Sequence, residues 1–128
     1  MKRTARVAVV GATGYAGFEL ARLLLRHPQI EKPTFFLRDG NANIRCLTEL
    51  FPQLRGWGEA PCKPLSVDAV AQSGAEVVFL STPHEASAEL VPHLLSANPK
   101  LRIVDLSGAF RFREQATFTR WYLSLIHI

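Results

Sequence analysis

The chain has 128 residues, enough for one domain with one modest core. Its composition, 48% hydrophobic and 20% charged, excludes a disordered chain, and no apolar run approaches the roughly 18 residues of a bilayer span. The net charge of +4 is carried by arginines scattered along the chain (Arg22, Arg26, Arg38, Arg55, Arg111, Arg113 and Arg120), with no basic stripe interleaved with aromatics, so neither nucleic acid nor membrane is an expected partner.

Arg6 to Val10 is a short valine-rich run closed by glycine, and reads as a buried strand. The basic MKRTAR before it leads into too few apolar residues for a secretory segment, which makes the cytoplasm the expected location. From Tyr15 to His27 the spacing turns helical, with Leu20, Leu23, Leu24 and His27 on one side, and Pro28 ends the helix. Residues 33–37 (PTFFL) read as a second strand. Residues 38–62, punctuated by Gly40, Asn41, Asn43, Pro52, Gly56, Gly58 and Pro61, read as a long loop with a helical turn near Cys46–Leu50. Such length marks a functional or covering segment.

A short helix follows over Val67–Gln72, then a buried strand over residues 76–80 (EVVFL). The next helix runs from about His84 to Ser96 with Leu90, Val91, Leu94 and Leu95 as its core stripe. Pro92 inside it predicts a kink or a restart. Residues 101–106 (LRIVDL) form a last apolar strand. Apolar strands alternating with helices predict an α/β fold, a Rossmann-type doubly wound parallel sheet. Cys46 and Cys62 have no metal or redox spacing and no histidine partner; they are expected to be reduced structural thiols, with no metal site.

The chemistry starts in residues 7–17, VAVVGATGYAG. Glycines placed between a strand and a helix suit a dinucleotide's pyrophosphate. Gly11 permits the tight turn, Gly14 admits the phosphates without a Cβ in the way, and Gly17 lets helix and strand pack closely. The amides of Tyr15 and Ala16 at the helix start, together with its dipole, face the phosphates, and Thr13 offers a hydroxyl. The competing reading is a structural turn without ligand. The G-x-x-G-x-x-G spacing resembles the variant turn of several NADP-linked families. At the end of the second strand Arg38 suits a 2′-phosphate, whereas Asp39 suits a ribose hydroxyl; the arginine's fork favours NADP. The bland alternative is an Arg38–Asp39 pair on an exposed loop. Ser81, Thr82 and Pro83 follow a core strand at its C-terminal end, where ligands of open α/β sheets sit. His84 at a helix start reads as a cap or an orienting group rather than a catalytic base, since the helix dipole there disfavours its protonation.

Three ordered stretches, VAVVGATGYAGFEL, VVFLSTPHEASAELVP (77–92) and IVDLSGAFRF (103–112), joined by LFPQLRG (50–56), resemble the N-acetyl-γ-glutamyl-phosphate reductases over about residues 5–122. The resemblance implies an NADPH-dependent reduction of N-acetyl-γ-glutamyl phosphate to N-acetylglutamate 5-semialdehyde, a step of arginine biosynthesis. In such enzymes a cysteine thiolate displaces phosphate and the resulting thioester accepts hydride. That cysteine belongs to an Asn-Pro-Gly-Cys segment which this chain lacks, and the acid/base histidine also lies in the missing part, so no catalytic residue is assigned here. The resemblance further makes Ser81, Thr82 and Pro83 a border of the cofactor site. It places Ser107 and Arg111 at the substrate, with a structural ion pair from Arg111 to Asp105 as the alternative, and gives Trp121 and Tyr122 a place in the core.

Residues 1–122 are then an NADP-binding domain. Residues 123–128 (LSLIHI) are an apolar tail that departs from the family's Trp-Tyr-Gly continuation and resembles adapter read-through. A fragment of this kind is expected to expose apolar surface, to be marginally stable or to associate, and to be inactive alone; the complete enzyme is expected to be a homo-oligomer acting on a small-molecule acyl phosphate. Aspartate-semialdehyde dehydrogenase and a non-catalytic NADP-sensing module are the alternatives.

Overall fold

The structure, a computed structural model, describes residues 4–38, 41, 43–111 and 113–123. Five strands form one parallel sheet: β1 (Val7–Val10), β2 (Thr34–Leu37), β3 (Cys62–Pro64), β4 (Val77–Leu80) and β5 (Arg102–Asp105). Their order, β3-β2-β1-β4-β5, places the first strand in the middle. The helices are α1 (Tyr15–Leu25), α2 (Val67–Ala71), α3 (His84–Ala97) and a short α4 (Gln115–Phe118) running into a π turn at Thr119–Leu123. This is the expected α/β Rossmann-type doubly wound topology.

Alternation along the central strands feeds two cores. Val7, Val9, Phe35 and Leu37 face α1, where Ala21 and Leu24 meet them. Ala8, Val10, Phe36, Val78 and Leu80 face the other way, onto Val70 of α2 and Leu94 of α3. A strand buried on both faces reads in sequence as a continuous apolar run, and β1 and β2 do so.

The long connection between β2 and β3 is a cover. Its two 3₁₀ turns, Leu47–Glu49 and Pro52–Leu54, bury Leu47 and Leu54 in the α1-side core. The first turn is held by Glu49, whose carboxylate accepts from the amides of Arg45 and Cys46, both at 2.8 Å. Phe51 meets Phe18 of α1 with ring centroids 5.1 Å apart, and the Arg26 guanidinium lies 3.3 Å over the Trp57 ring.

Several expectations are corrected. The stretch read as loop up to residue 62 ends in a strand, β3. Its pairing with β2, Phe35 to Cys62 through Leu37 to Pro64, creates the strand, and three residues carry no periodicity. Helix α1 ends at Leu25, ahead of His27, and Leu23 faces solvent; its packed face is Gly17, Ala21 and Leu24. Pro92 neither ends nor restarts α3, which runs through it to Ala97. Pro92 and Ala88, whose carbonyl the proline leaves without an amide donor, are both exposed. Leu95 is also exposed, and the face of α3 that packs is Ser87, Leu90, Val91 and Leu94. Strand β5 is not buried: Val104 is 42% and the following Leu106 47% exposed. Trp121, expected in the core, is 56% exposed, and the Tyr122 side chain, Asp39 and residues 124–128 lie outside the described residues. Among the described residues no helix is long and apolar enough to cross a membrane.

Candidate functional site: the switch point above β1 and β4

From β1 the chain crosses to β2 on one side, and from β4 to β5 on the other. The connections leaving the C-terminal ends of β1 and β4 therefore part in opposite directions, and the crevice there is where open α/β sheets take ligands. Gly11 leaves β1 with φ +81°, and its amide donates to the Phe36 carbonyl at 3.0 Å. A Cβ on Gly11 would stand 2.6 Å from the Ser81 carbonyl oxygen and 2.8 Å from the Thr82 methyl. Glycine is thus required there twice, for the backbone angle and for the closeness of the β4 exit. Gly17 answers to the interior as well: a Cβ would lie 2.5 Å from the Ala12 Cα, so α1 sits tight on the turn only because residue 17 has no side chain.

Gly14 differs from both. It caps α1 with φ −104°, an angle open to any residue, and a Cβ on it would meet nothing within 4 Å. No side chain caps the helix, whose first amides lack intrahelical acceptors. Nothing in the fold itself asks for glycine at position 14. A Cβ there would fill the space in front of uncapped helix amides, which is the form of a cradle for phosphate oxygens. The residues present fit a dinucleotide. Thr13, Tyr15 and Ala16 are exposed around the cradle, Tyr15 to 95%.

Across the crevice, the β4 exit is locked from within. The Thr82 and Ser87 hydroxyls are buried and hydrogen-bonded to each other at 2.6 Å, and the Ser81 amide donates to the Val10 carbonyl at 2.9 Å. Arg38, directly after β2, is exposed and lines two adjoining hollows of about 390 and 460 Å³. The smaller is shared with Thr13, Asn41 and Leu65; the larger runs between Leu65 and Val67 on one wall and Pro83, Ala86 and Leu90 on the other. The structure therefore brings Thr13, Arg38, Thr82 and Pro83 onto one continuous trough beside the glycine turn. Arg38 forms no ion pair among the described residues.

Ser107 and Arg111 lie past β5. Asp105 accepts from the Ser107 amide (2.9 Å) and hydroxyl (3.0 Å), and the Ser107 hydroxyl oxygen accepts from the Ala109 amide (3.2 Å). The Asp105 carboxylate is thereby occupied, and the expected alternative, an Arg111–Asp105 ion pair, is not formed; the Arg111 side chain is exposed. His84, the first residue of α3, accepts the Gly108 amide at Nδ1 (2.7 Å) and so joins the loops after β4 and β5. Sequence reading treated these as separate motifs. Its one usable signal was a histidine at a helix start, and a bond spanning 24 residues leaves no local pattern.

The cysteines sit elsewhere, Cys46 at the start of the first 3₁₀ turn of the long connection and Cys62 buried at the start of β3. Thr48 donates its hydroxyl to the Cys46 sulfur at 3.1 Å and, chiefly for that reason, holds the Cys46 thiol below its usual range. Burial, with smaller contributions from Cys46 and Glu49, pushes the Cys62 thiol up to about 12. Neither lines the trough.

The family model for the semialdehyde dehydrogenase NAD-binding domain matches residues 6–122. The chain belongs to the semialdehyde dehydrogenase family. What it carries is that family's NAD(P)-binding domain. Among curated relatives, the N-acetyl-gamma-glutamyl-phosphate reductase of Yersinia pseudotuberculosis is 43% identical over 115 residues, 89% of this chain and 34% of that protein. The namesake from Halothermothrix orenii is 38% identical over 117 residues, 91% of this chain and 32% of that protein. The chain thus spans about a third of the length of these reductases. Among solved structures, aspartate semialdehyde dehydrogenase with NADP from Candida albicans matches 87% of this chain and 32% of its own length, with a TM-score of 0.66 and 16% identity. Aspartate semialdehyde dehydrogenase II from Vibrio cholerae gives 0.63 at 17% identity over 87% of this chain and 30% of its own. These likenesses show the fold.

Proposed function

We propose that this chain is the coenzyme-binding part of an NADPH-dependent N-acetyl-γ-glutamyl-phosphate reductase, with residues 1–122 as the domain and residues 123–128 as an apolar tail outside it. The observation that carries the reading is Gly14: a glycine the fold does not need, in front of an uncapped helix, at the switch point of the sheet.

Each residue then has a task. The amides at the start of α1 take the pyrophosphate oxygens, and the open space at Gly14 lets them approach. Gly11 and Gly17 hold the turn in shape. Thr13 adds a hydroxyl donor, and Tyr15 and Ala16 border the cradle. Arg38 reaches the 2′-phosphate with its fork of donors, which favours NADPH over NADH. Ser81, Thr82 and Pro83 form the opposite wall; the Thr82 hydroxyl is already engaged with Ser87, so this residue acts by shape. When bound, the coenzyme supplies the hydride for reduction. Ser107 and Arg111 hold the substrate's phosphoryl group, Arg111 by two parallel hydrogen bonds. The activity itself belongs to the complete enzyme, a soluble cytoplasmic homo-oligomer acting on a small acyl phosphate.

The test is a fluorescence titration with NADPH and NADH. Gly14→Val should weaken both by at least about tenfold, a loss of ~1.4 kcal/mol, with an unchanged melting temperature. Arg38→Ala should cost NADPH about 15- to 150-fold, the ~1.5–3 kcal/mol of a charged hydrogen bond, and leave NADH nearly as it was. Undiminished NADPH binding in Gly14→Val would remove the cradle, and equal losses for the two coenzymes in Arg38→Ala would remove the NADPH preference.

A further inference from the structure

The Leu106 amide still extends the β4–β5 ladder, donating to the Leu80 carbonyl at 3.0 Å. Beyond it the chain bonds mostly to itself. Asp105 takes Ser107, Ser107 takes the Ala109 amide, and the Gly108 carbonyl takes the Arg111 amide at 3.2 Å. These bonds fasten Ser107 to the end of β5 and give residues 107–111 a shape, without joining them to the coenzyme turn. Among the described residues, one hydrogen bond ties this segment to an element other than β5: the N–H of buried Gly108 donates to His84 Nδ1 at 2.7 Å.

His84 is well mounted for such a link. It opens the 14-residue helix α3 and directly follows the Ser81–Pro83 turn. That turn is fixed by the buried Thr82–Ser87 hydroxyl pair and by the close approach of Gly11. A ring nitrogen that accepts an amide proton cannot carry one, so the proton of the neutral ring resides on Nε2.

We propose that His84 is a positioning residue: by accepting the Gly108 N–H at Nδ1 it holds the Ser107–Arg111 segment at a set place relative to the coenzyme turn. Its value to the reaction rests on the reading above, in which Ser107 and Arg111 hold the substrate phosphate. The link itself does not depend on that reading. The same geometry sets the selectivity of replacement. Nδ1 lies three bonds from Cα, as does the side-chain oxygen of asparagine, whereas that of glutamine lies four bonds away. Asparagine can therefore stand in for histidine here, and glutamine cannot.

The experiment uses the whole chain, ¹⁵N-labelled, as wild type, His84→Asn, His84→Gln, His84→Phe and Arg111→Ala. It follows Gly108 amide exchange and the amide shifts of residues 107–111, then titrates NADPH and inorganic phosphate. Glutamine, polar and tolerated at a helix start, keeps the test intact if the phenylalanine variant does not fold. Wild type and His84→Asn should protect Gly108 alike. In His84→Gln and His84→Phe its exchange should rise about tenfold or more, the shifts of residues 107–111 should move, and phosphate should bind about tenfold more weakly, while NADPH affinity stays within about twofold.

Unchanged Gly108 exchange in His84→Gln overturns the proposal, and so does His84→Asn behaving like His84→Phe, since bulk alone would then be at work. Phosphate binding that falls in Arg111→Ala but not in His84→Gln also overturns it. If Arg111→Ala leaves phosphate binding untouched, the phosphate reading fails instead, and the moved shifts of residues 107–111 still establish the positioning role.

Discussion

Strands β2 and β5 lie on the outer sides of β1 and β4, but β2 is an inner strand with β3 beyond it whereas β5 is an edge, and their surroundings differ as well. On the β2 side both faces of the sheet are covered: Phe35 and Leu37 by α1 and the long connection, Phe36 by α2 and α3. On the β5 side α3 covers one face only. The opposite face presents Phe79 of β4 beside its partner Val104, with Leu106 beyond, all at least partly exposed. Strand β5 is paired with β4 along its whole length, while β2 is paired with β1 over Thr34–Phe36 and with β3 over Phe35–Leu37. Strand β5 is therefore held by one ladder and by cover on one face, whereas β2 is held by two ladders and by burial on both faces.

Replacing one apolar side chain on each flank should give the largest contrast. Phe36→Ala should cost about 3–5 kcal/mol, and Val104→Thr should stay within about 0.5 kcal/mol, as read from urea midpoints. Comparable costs would break the comparison.

A charge sharpens it next. Leu106→Glu on the open face should leave the fold intact and lower any concentration-dependent association seen in sedimentation, because it interrupts an exposed apolar patch. Leu37→Glu, by contrast, should unfold the chain, since an unpaired charge in that core has no compensation.

The smallest effect concerns the thiols under the covered flank. At pH 7.5 a thiol reagent should modify Cys46 well before Cys62, which should react only on unfolding. With its native value up at about 12, above the roughly 8.5 of an unfolded cysteine, Cys62 keeps its proton longer in the folded chain. Its contribution is then whole below about pH 8.5 and declines as pH rises toward 12, so Cys62→Ala should flatten the loss of stability between pH 8 and 10. Identical slopes for the two proteins would show that burial of this thiol does not govern the response.

What could be read from the sequence follows the same division. Strands β1 and β2 announced themselves because burial on both faces demands unbroken apolar runs, and β4 did so by the same kind of run although Val77 and Phe79 are only partly buried. Residues 101–106 carry the same signature, yet Val104 and Leu106 are exposed, for pattern reports what a strand can bury and not what covers it. Strand β3 was illegible: Cys62–Pro64 is a strand because β2 lies beside it. Leu23 and Leu95 fit helical spacing but fall outside the narrower faces that α1 and α3 pack. In the site, the glycine turn and Arg38 were legible through local chemistry. The Thr82–Ser87 and His84–Gly108 bonds were not, because a hydrogen bond between side chains and loops leaves no period.

The central position of β1 has a temporal corollary. Val7 cannot meet Val77 until most of the described chain has left the ribosome, which at roughly 5–20 residues per second takes several seconds. Through that interval a strand that is buried along its whole length in the finished fold has one flank without a partner. Long-range parallel pairing of this kind is slow and exposed to aggregation, so the yield of native protein should respond to holdase chaperones and to growth temperature more than its modest size suggests.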